Sequence, residues 1–210
     1  MSILGDRHRD TLQARSMLGI LYLHLGRLAE AERCFGEAYR TRRLVLGDQN
    51  PMTVTSQGHL AFVYLLQGRR ADAEPLLCEF RESVSRQQDR LPPFTFWRLR
   101  GVGLALLRAR DFTRAESFLR LYLELATKKL PDDWLRSSAT AALGASLLAQ
   151  KKYAEAEPLM VSGFEGMQKS GGDPQYVRRA AERVVKLYQD WGRADKAVEW
   201  RAQLKALGGA

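Results

Sequence analysis

The sequence predicts an all-α fold, a right-handed α-solenoid of about five antiparallel helix pairs, and three observations carry that expectation. Gly-Arg-Leu-Ala-Glu-Ala-Glu at Gly26–Glu32 returns as Gly-Arg-Arg-Ala-Asp-Ala-Glu at Gly68–Glu74, and Leu4-Gly5-Asp6 returns as Leu46-Gly47-Asp48, both after 42 residues. A fixed period of this size means stacked copies of one small unit. The alanine of the Ala-Glu pair then marks the phase along the whole chain, at Ala31, Ala73, Ala115, Ala156 and Ala197, in steps of 42, 42, 41 and 41 residues. Third, each copy pairs a large apolar and a small residue with an aromatic residue or leucine one helical turn on. These stand at Leu18-Gly19 with Tyr22, Leu60-Ala61 with Tyr64, Leu143-Gly144 with Leu147 and Val184-Val185 with Tyr188; Val102-Gly103 with Leu106 is the third copy.

That spacing makes one helical stripe with a notch, into which the marker alanine of a second helix fits. Five residues before each marker, Gly26, Gly68, Arg110, Lys151 and Gly192 occupy the turn. First helices are predicted over 9–25, 51–67, 93–109, 134–150 and 174–191, and second helices over 28–44, 70–86, 112–129, 153–168 and 194–207. Asn50-Pro51 and Asp173-Pro174 are capping residues followed by a proline that has no N–H to lose. Pro92-Pro93 and Asp132-Asp133 fall at the matching places, and Arg40, Arg42, Arg43, Lys128 and Lys129 suit the negative ends of helix dipoles. The units are 7–48, 49–90, 91–131, 132–172 and 173–210, within a single array over 1–210.

Leu18-Gly19-x-x-Tyr22 followed by Ala31-x-x-x-Phe35 resembles the tetratricopeptide (TPR) pattern, and Leu60-Ala61-x-x-Tyr64 with Ala73-x-x-x-Leu77 repeats it. A TPR has about 34 residues, so these units are longer by about two helical turns. The extension Leu46-Gly-Asp-x-Asn-Pro-x-Thr53 resembles the kinesin-light-chain type. The order Leu143–Gln150, Tyr153–Leu159 and Leu187–Gly192 is similar to C-terminal TPR regions of bacterial multidomain serine/threonine protein kinases. The resemblance implies a TPR-like superhelix acting as a non-catalytic protein-interaction scaffold, the C-terminal region of a larger bacterial signalling protein. HEAT and armadillo arrays share the period, but the Gly-x-x-x-x-Ala-Glu turn speaks against them.

The chain has 33 Lys and Arg against 24 Asp and Glu, a formal charge of +9, and is 45% hydrophobic. No apolar run approaches the ~20 residues of a membrane span, and Met-Ser-Ile-Leu-Gly-Asp has no signal-peptide form. The default compartment is the cytoplasm. Cys34 and Cys78 occupy different phases, which reads as buried reduced thiols. His8-Arg9-Asp10 copies a kinase triplet, but Arg15 stands where that loop needs asparagine, so it reads as a helix start. Gly101-x-Gly103-x-x-Leu106 lacks a third glycine and sits inside a predicted helix. His8, His24 and His59 are the only histidines, and no zinc motif or catalytic triad accompanies them. The chain is expected to be no enzyme and to hold no metal or cofactor.

Binding is expected on the stripe of each first helix that faces the concave side. Phase arithmetic gives Gln13, Met17, Ile20 and His24, then Thr55, His59, Phe62 and Leu66. The third unit supplies Trp97, Gly101, Leu104 and Arg108, with Arg100 beside them; the fourth supplies Ser138, Ala142, Ala145 and Ala149, and the fifth Arg179, Arg183, Lys186 and Asp190. The peptide-binding candidates are Met17, Ile20, His24, His59, Phe62, Leu66, Trp97, Arg100, Leu104, Arg108, Arg179, Arg183 and Lys186. This stripe runs from apolar and aromatic to basic, so a protein segment bearing apolar and acidic residues suits it. Two alternatives remain. Ile3-Leu4 enters mid-linker and the first unit carries no polar face, which points to a longer parent chain or to self-association there. The positive charge also admits nucleic acid, although no recognition module accompanies it.

Overall fold

The computed structural model describes Gly5 and residues 7–129 and 134–207. Ile3-Leu4, the ends of Leu4-Gly5-Asp6 and Asp132-Asp133 lie outside the described residues. Ten helices and no strand occur among those described. They are α1 (Arg9–His24), α2 (Leu28–Leu46), α3 (Pro51–Leu66), α4 (Arg70–Arg86), α5 (Pro93–Arg108), α6 (Phe112–Lys129), α7 (Trp134–Ala149), α8 (Tyr153–Lys169), α9 (Pro174–Asp190) and α10 (Ala194–Ala206). First helices end one residue before the predicted position because Leu25, Gln67 and Trp191 are C-caps rather than helical residues. The fold is the predicted all-α, TPR-like arrangement of helix pairs.

Local chemistry sets the helix ends. The Asn50 side chain accepts from Met52 N at 2.9 Å and Asp173 from Gln175 N at 2.8 Å, each ahead of a proline. His8 caps α1 by accepting from Asp10 N at 3.2 Å, so the kinase-like triplet is a helix start. The five turn positions share one backbone solution. Gly26, Gly68 and Gly192 have φ of 71°, 77° and 75°, and Arg110 and Lys151 reach 61° without being glycine. The next N–H bonds back five residues in every case, from Arg27 to Tyr22, Arg69 to Tyr64, Asp111 to Leu106, Lys152 to Leu147 and Arg193 to Tyr188, at 2.9–3.0 Å. This is the Schellman closure, which satisfies carbonyls the helix end leaves free.

The chain divides into two compact units, Met1–Ala105 and Leu106–Ala210, with the boundary inside α5. In unit 1, α2 packs between α1 and α3, and α3 packs on α4. The marker alanines Ala31 and Ala73 are fully buried, and Phe35 fills the Gly19 notch. A cluster of Ala31, Phe35, Tyr39, Leu60 and Val63 forms the centre of this part, with Ile20, Tyr22 and Tyr64 against it. In unit 2, α6 packs on α7, α8 lies between α7 and α9, and α9 packs on α10. A Cβ on Gly163 would stand 2.6 Å from the Ala141 backbone nitrogen, so α7 and α8 meet backbone to backbone.

Unit 1 also buries polar groups that the sequence reading assigned elsewhere. Arg42 does not sit exposed at a helix end. It is buried, and its guanidinium donates to Ser16 Oγ at 3.0 Å and Ser56 Oγ at 2.6 Å, tying α2 to α1 and α3. The two serines in turn donate to Leu12 O and Met52 O of their own helices. Cys34 is buried as expected, whereas Cys78 is exposed, because its phase falls on the outer side of α4.

Candidate functional site

Of the candidate binding residues in unit 1, Met17, His24, Leu66 and Trp97 are exposed. Ile20, Phe62, Arg100 and Leu104 are half-buried. Phe62 is roofed by the Arg98 guanidinium, 4.3 Å from its ring centre. Burial lowers Arg98 to about 10.

His59 departs from the expectation. It is 5% exposed and lies flat on Phe35 of α2, with ring centroids 4.7 Å apart and planes 9° apart. Its Nδ1 has no hydrogen-bond partner among the described residues. Burial pushes its pKa well below the ordinary 6.5, and the charges of Arg98 and Arg42 push the same way. His59 is therefore a neutral core residue, not a stripe residue. Thr55 is likewise buried, its hydroxyl 2.8 Å from that of Thr95, and Ala142 is buried in unit 2. For His59 the cause is α2, whose Phe35 covers the turn of α3 that the arithmetic had left open.

Unit 2 brings the basic candidates together. Arg108, Arg179 and Arg183 lie close enough that the charges of the first two depress the pKa of the third. The larger cause is desolvation, although Arg183 still keeps part of its surface in water. Among the described residues, no carboxylate forms an ion pair with any of these three. Lys186 differs, since its ammonium sits 2.9 Å from Asp190. Arg183, Lys186 and Asp190 line a cleft of about 470 Å³ with Ala145, Leu148 and Ala149 as its apolar floor, and Lys151 and Tyr153 complete it.

Lys151 and Tyr153 were legible only as turn and repeat grammar. The available signal was a lysine where three other copies of the turn place glycine. Arg98 was missed as well, because a charge inside a predicted helix gives no hint that it will fold back over Phe62. Such a surface can hold an anion beside an apolar group. Among the described residues, no group of three or more His, Cys, Asp or Glu could hold a metal ion. No described helix is long and apolar enough to cross a membrane.

Comparison with known proteins agrees with the fold. Residues 10–85 match the tetratricopeptide repeat family model. No curated protein sequence matches the chain. Among solved structures, a kinesin-light-chain protein of Podosopora anserina with nearly identical TPR-like repeats aligns with a TM-score of 0.76 at 19% identity, covering 96% of each chain. BtubC (BKLC) from P. vanneervenii gives 0.74 at 18% identity, over 94% of this chain and 80% of that one. A Rap protein complexed with Competence and Sporulation Factor gives 0.62 at 15% identity, over 92% of this chain and 52% of that one. Residues 10–85 are thus tetratricopeptide repeat sequence, and the chain has the fold of kinesin-light-chain-like TPR proteins.

Proposed function

We propose that this chain is a non-catalytic interaction scaffold that captures a protein segment carrying both acidic and apolar residues. The observation that carries the reading is the crowding of Arg108, Arg179 and Arg183, none of them ion-paired with a carboxylate among the described residues, with Arg183 lining a cleft floored by Ala145, Leu148 and Ala149. Like charges held together cost free energy that a bound carboxylate returns. The neighbouring apolar floor gives such a ligand a place for an aliphatic or aromatic group. Unit 1 by itself exposes a separate set of apolar residues, Met17, Leu66 and Trp97. The Rap protein complexed with Competence and Sporulation Factor supports the reading in so far as this fold holds a bound partner there.

The test uses a fluorescein-labelled peptide of alternating leucine and glutamate, followed by anisotropy at 50 and 200 mM salt. Binding is expected to weaken with salt and to fall at least tenfold in Arg183→Glu, while melting temperatures barely move. Equal binding by Arg183→Glu, or by the peptide with glutamine in place of glutamate, overturns the reading. Salt-sensitive retention of a single-stranded oligonucleotide with no peptide binding would replace it with a nucleic-acid reading.

A further inference from the structure

We propose that the outer face of α1 in unit 1 docks on the same face of a second copy of this chain, related by a two-fold axis. The repeat provides an internal standard for this face. Leu18 and Leu21 occupy the phases of Leu60 and Val63 in α3, of Leu143 and Ser146 in α7 and of Val184 and Leu187 in α9. Those residues are buried, for example Leu60 at 6% and Val63 at 0% exposure, and the helix against each is the second helix of the unit before: α2 on α3, α6 on α7, α8 on α9. Leu18 is 42% and Leu21 53% exposed. The stripe has the chemistry of an interior helix contact, and no described helix is seated on it.

The next residue in the row refines the match. Gln67 donates to Glu32 Oε2 at 2.9 Å, and Gln150 to Glu116 Oε2 at 2.9 Å, so this position normally meets a carboxylate on the covering helix. In α1 the position is Leu25, also exposed, which calls for an apolar partner instead.

Two surfaces of a second copy compete for this face. The free side of α10 offers Val198, Arg201 and Lys205 at the phases held in α2 by Glu32, Phe35 and Tyr39. Val198 suits Leu25, but the two cations would be pressed against leucines and desolvated without a counter-charge. The α1 face of another copy brings only Ala14, Leu18, Leu21 and Leu25, all uncharged, and an antiparallel two-fold pairing sets leucine against leucine while opposing the helix dipoles. From Ala14 to Leu25 this row is ~16 Å long at 1.5 Å per residue. So short an interface lies at the lower limit of stable association, which makes the dimer concentration-dependent.

Sedimentation velocity of the full chain from about 1 to 500 µM, in reducing buffer so that exposed Cys78 cannot cross-link, tests the proposal. A monomer–dimer equilibrium is expected. Leu21→Glu should remain monomeric throughout with an unchanged far-UV circular dichroism spectrum, since Leu21 is already half in water. Val198→Glu should dimerise as the wild type does, and so should Arg183→Glu, which separates this surface from the cleft reading. A wild type that is monomeric at every concentration overturns the proposal. So do a Leu21→Glu dimer, loss of the dimer in Val198→Glu, and open-ended growth beyond a dimer.

Discussion

His59 makes unit 1 sensitive to mild acid. The imidazole is buried against Phe35, its Nδ1 has no partner among the described residues, and Arg42 from α2 and Arg98 from α5 both bring positive charge to it. Protonation would place a third cation there, so the folded state holds His59 neutral well below the ordinary 6.5. Above pH 6.5 the residue is neutral in both states and costs nothing. Below it the unfolded chain binds a proton that the folded one refuses, so stability falls with pH until the folded imidazole finally titrates. The loss is at most about 1.4 kcal/mol for each pH unit below 6.5. For a unit of this size that corresponds to roughly 5–10 °C in melting temperature per pH unit. The assay is thermal unfolding by circular dichroism at pH 7, 6 and 5, together with the NMR titration of the His59 ring. His59→Phe keeps an aromatic ring against Phe35 and removes the titrating group, so its stability should lose this pH slope whatever packing cost it carries. A ring that titrates near 6.5, or a His59→Phe variant with the wild-type slope, would overturn this account of His59.

Two further outcomes follow from unit 2. Burial raises the Glu116 pKa, but hydrogen bonds from Lys152, Gln150 and Arg120 outweigh that and hold it at about 2. Its stabilisation is therefore complete above the ordinary 4.5 and disappears as pH falls toward 2, so Glu116→Gln should cost about 1–2 kcal/mol at pH 7 in urea unfolding and converge with the wild type only as pH approaches 2. Arg110 holds a left-handed φ of 61° at a turn where three copies use glycine. Arg110→Gly should stabilise by a few tenths to about 1 kcal/mol, the relief of strain less the added freedom of the unfolded chain; a loss of stability would show that the side chain matters more than the backbone.

The periodic grammar was readable because it is local. Helix bounds over all ten elements, the Asn50 and Asp173 caps and the five turn positions depend on residues within one or two turns of each other. Site residues were less readable. Arg183 and Lys186 could be placed on a stripe by phase, but the convergence of Arg183 with Arg108 is long-range. Lys151 and Tyr153 entered the cleft only when the start of α8 met α9.

Met17 and His59 mark the division between the two kinds of information. They hold the same phase of the repeat, 42 residues apart, yet one is 62% exposed and the other 5%. The period, the helices, the turns and the apolar side of each helix follow from neighbours along the chain and were legible there. Which apolar side is covered depends on packing: α2 lies across α3 and buries His59, while no described helix lies across α1 in the same way. Burial belongs to the pair of surfaces that meet, and one strand of residues in a repeat specifies only its own half.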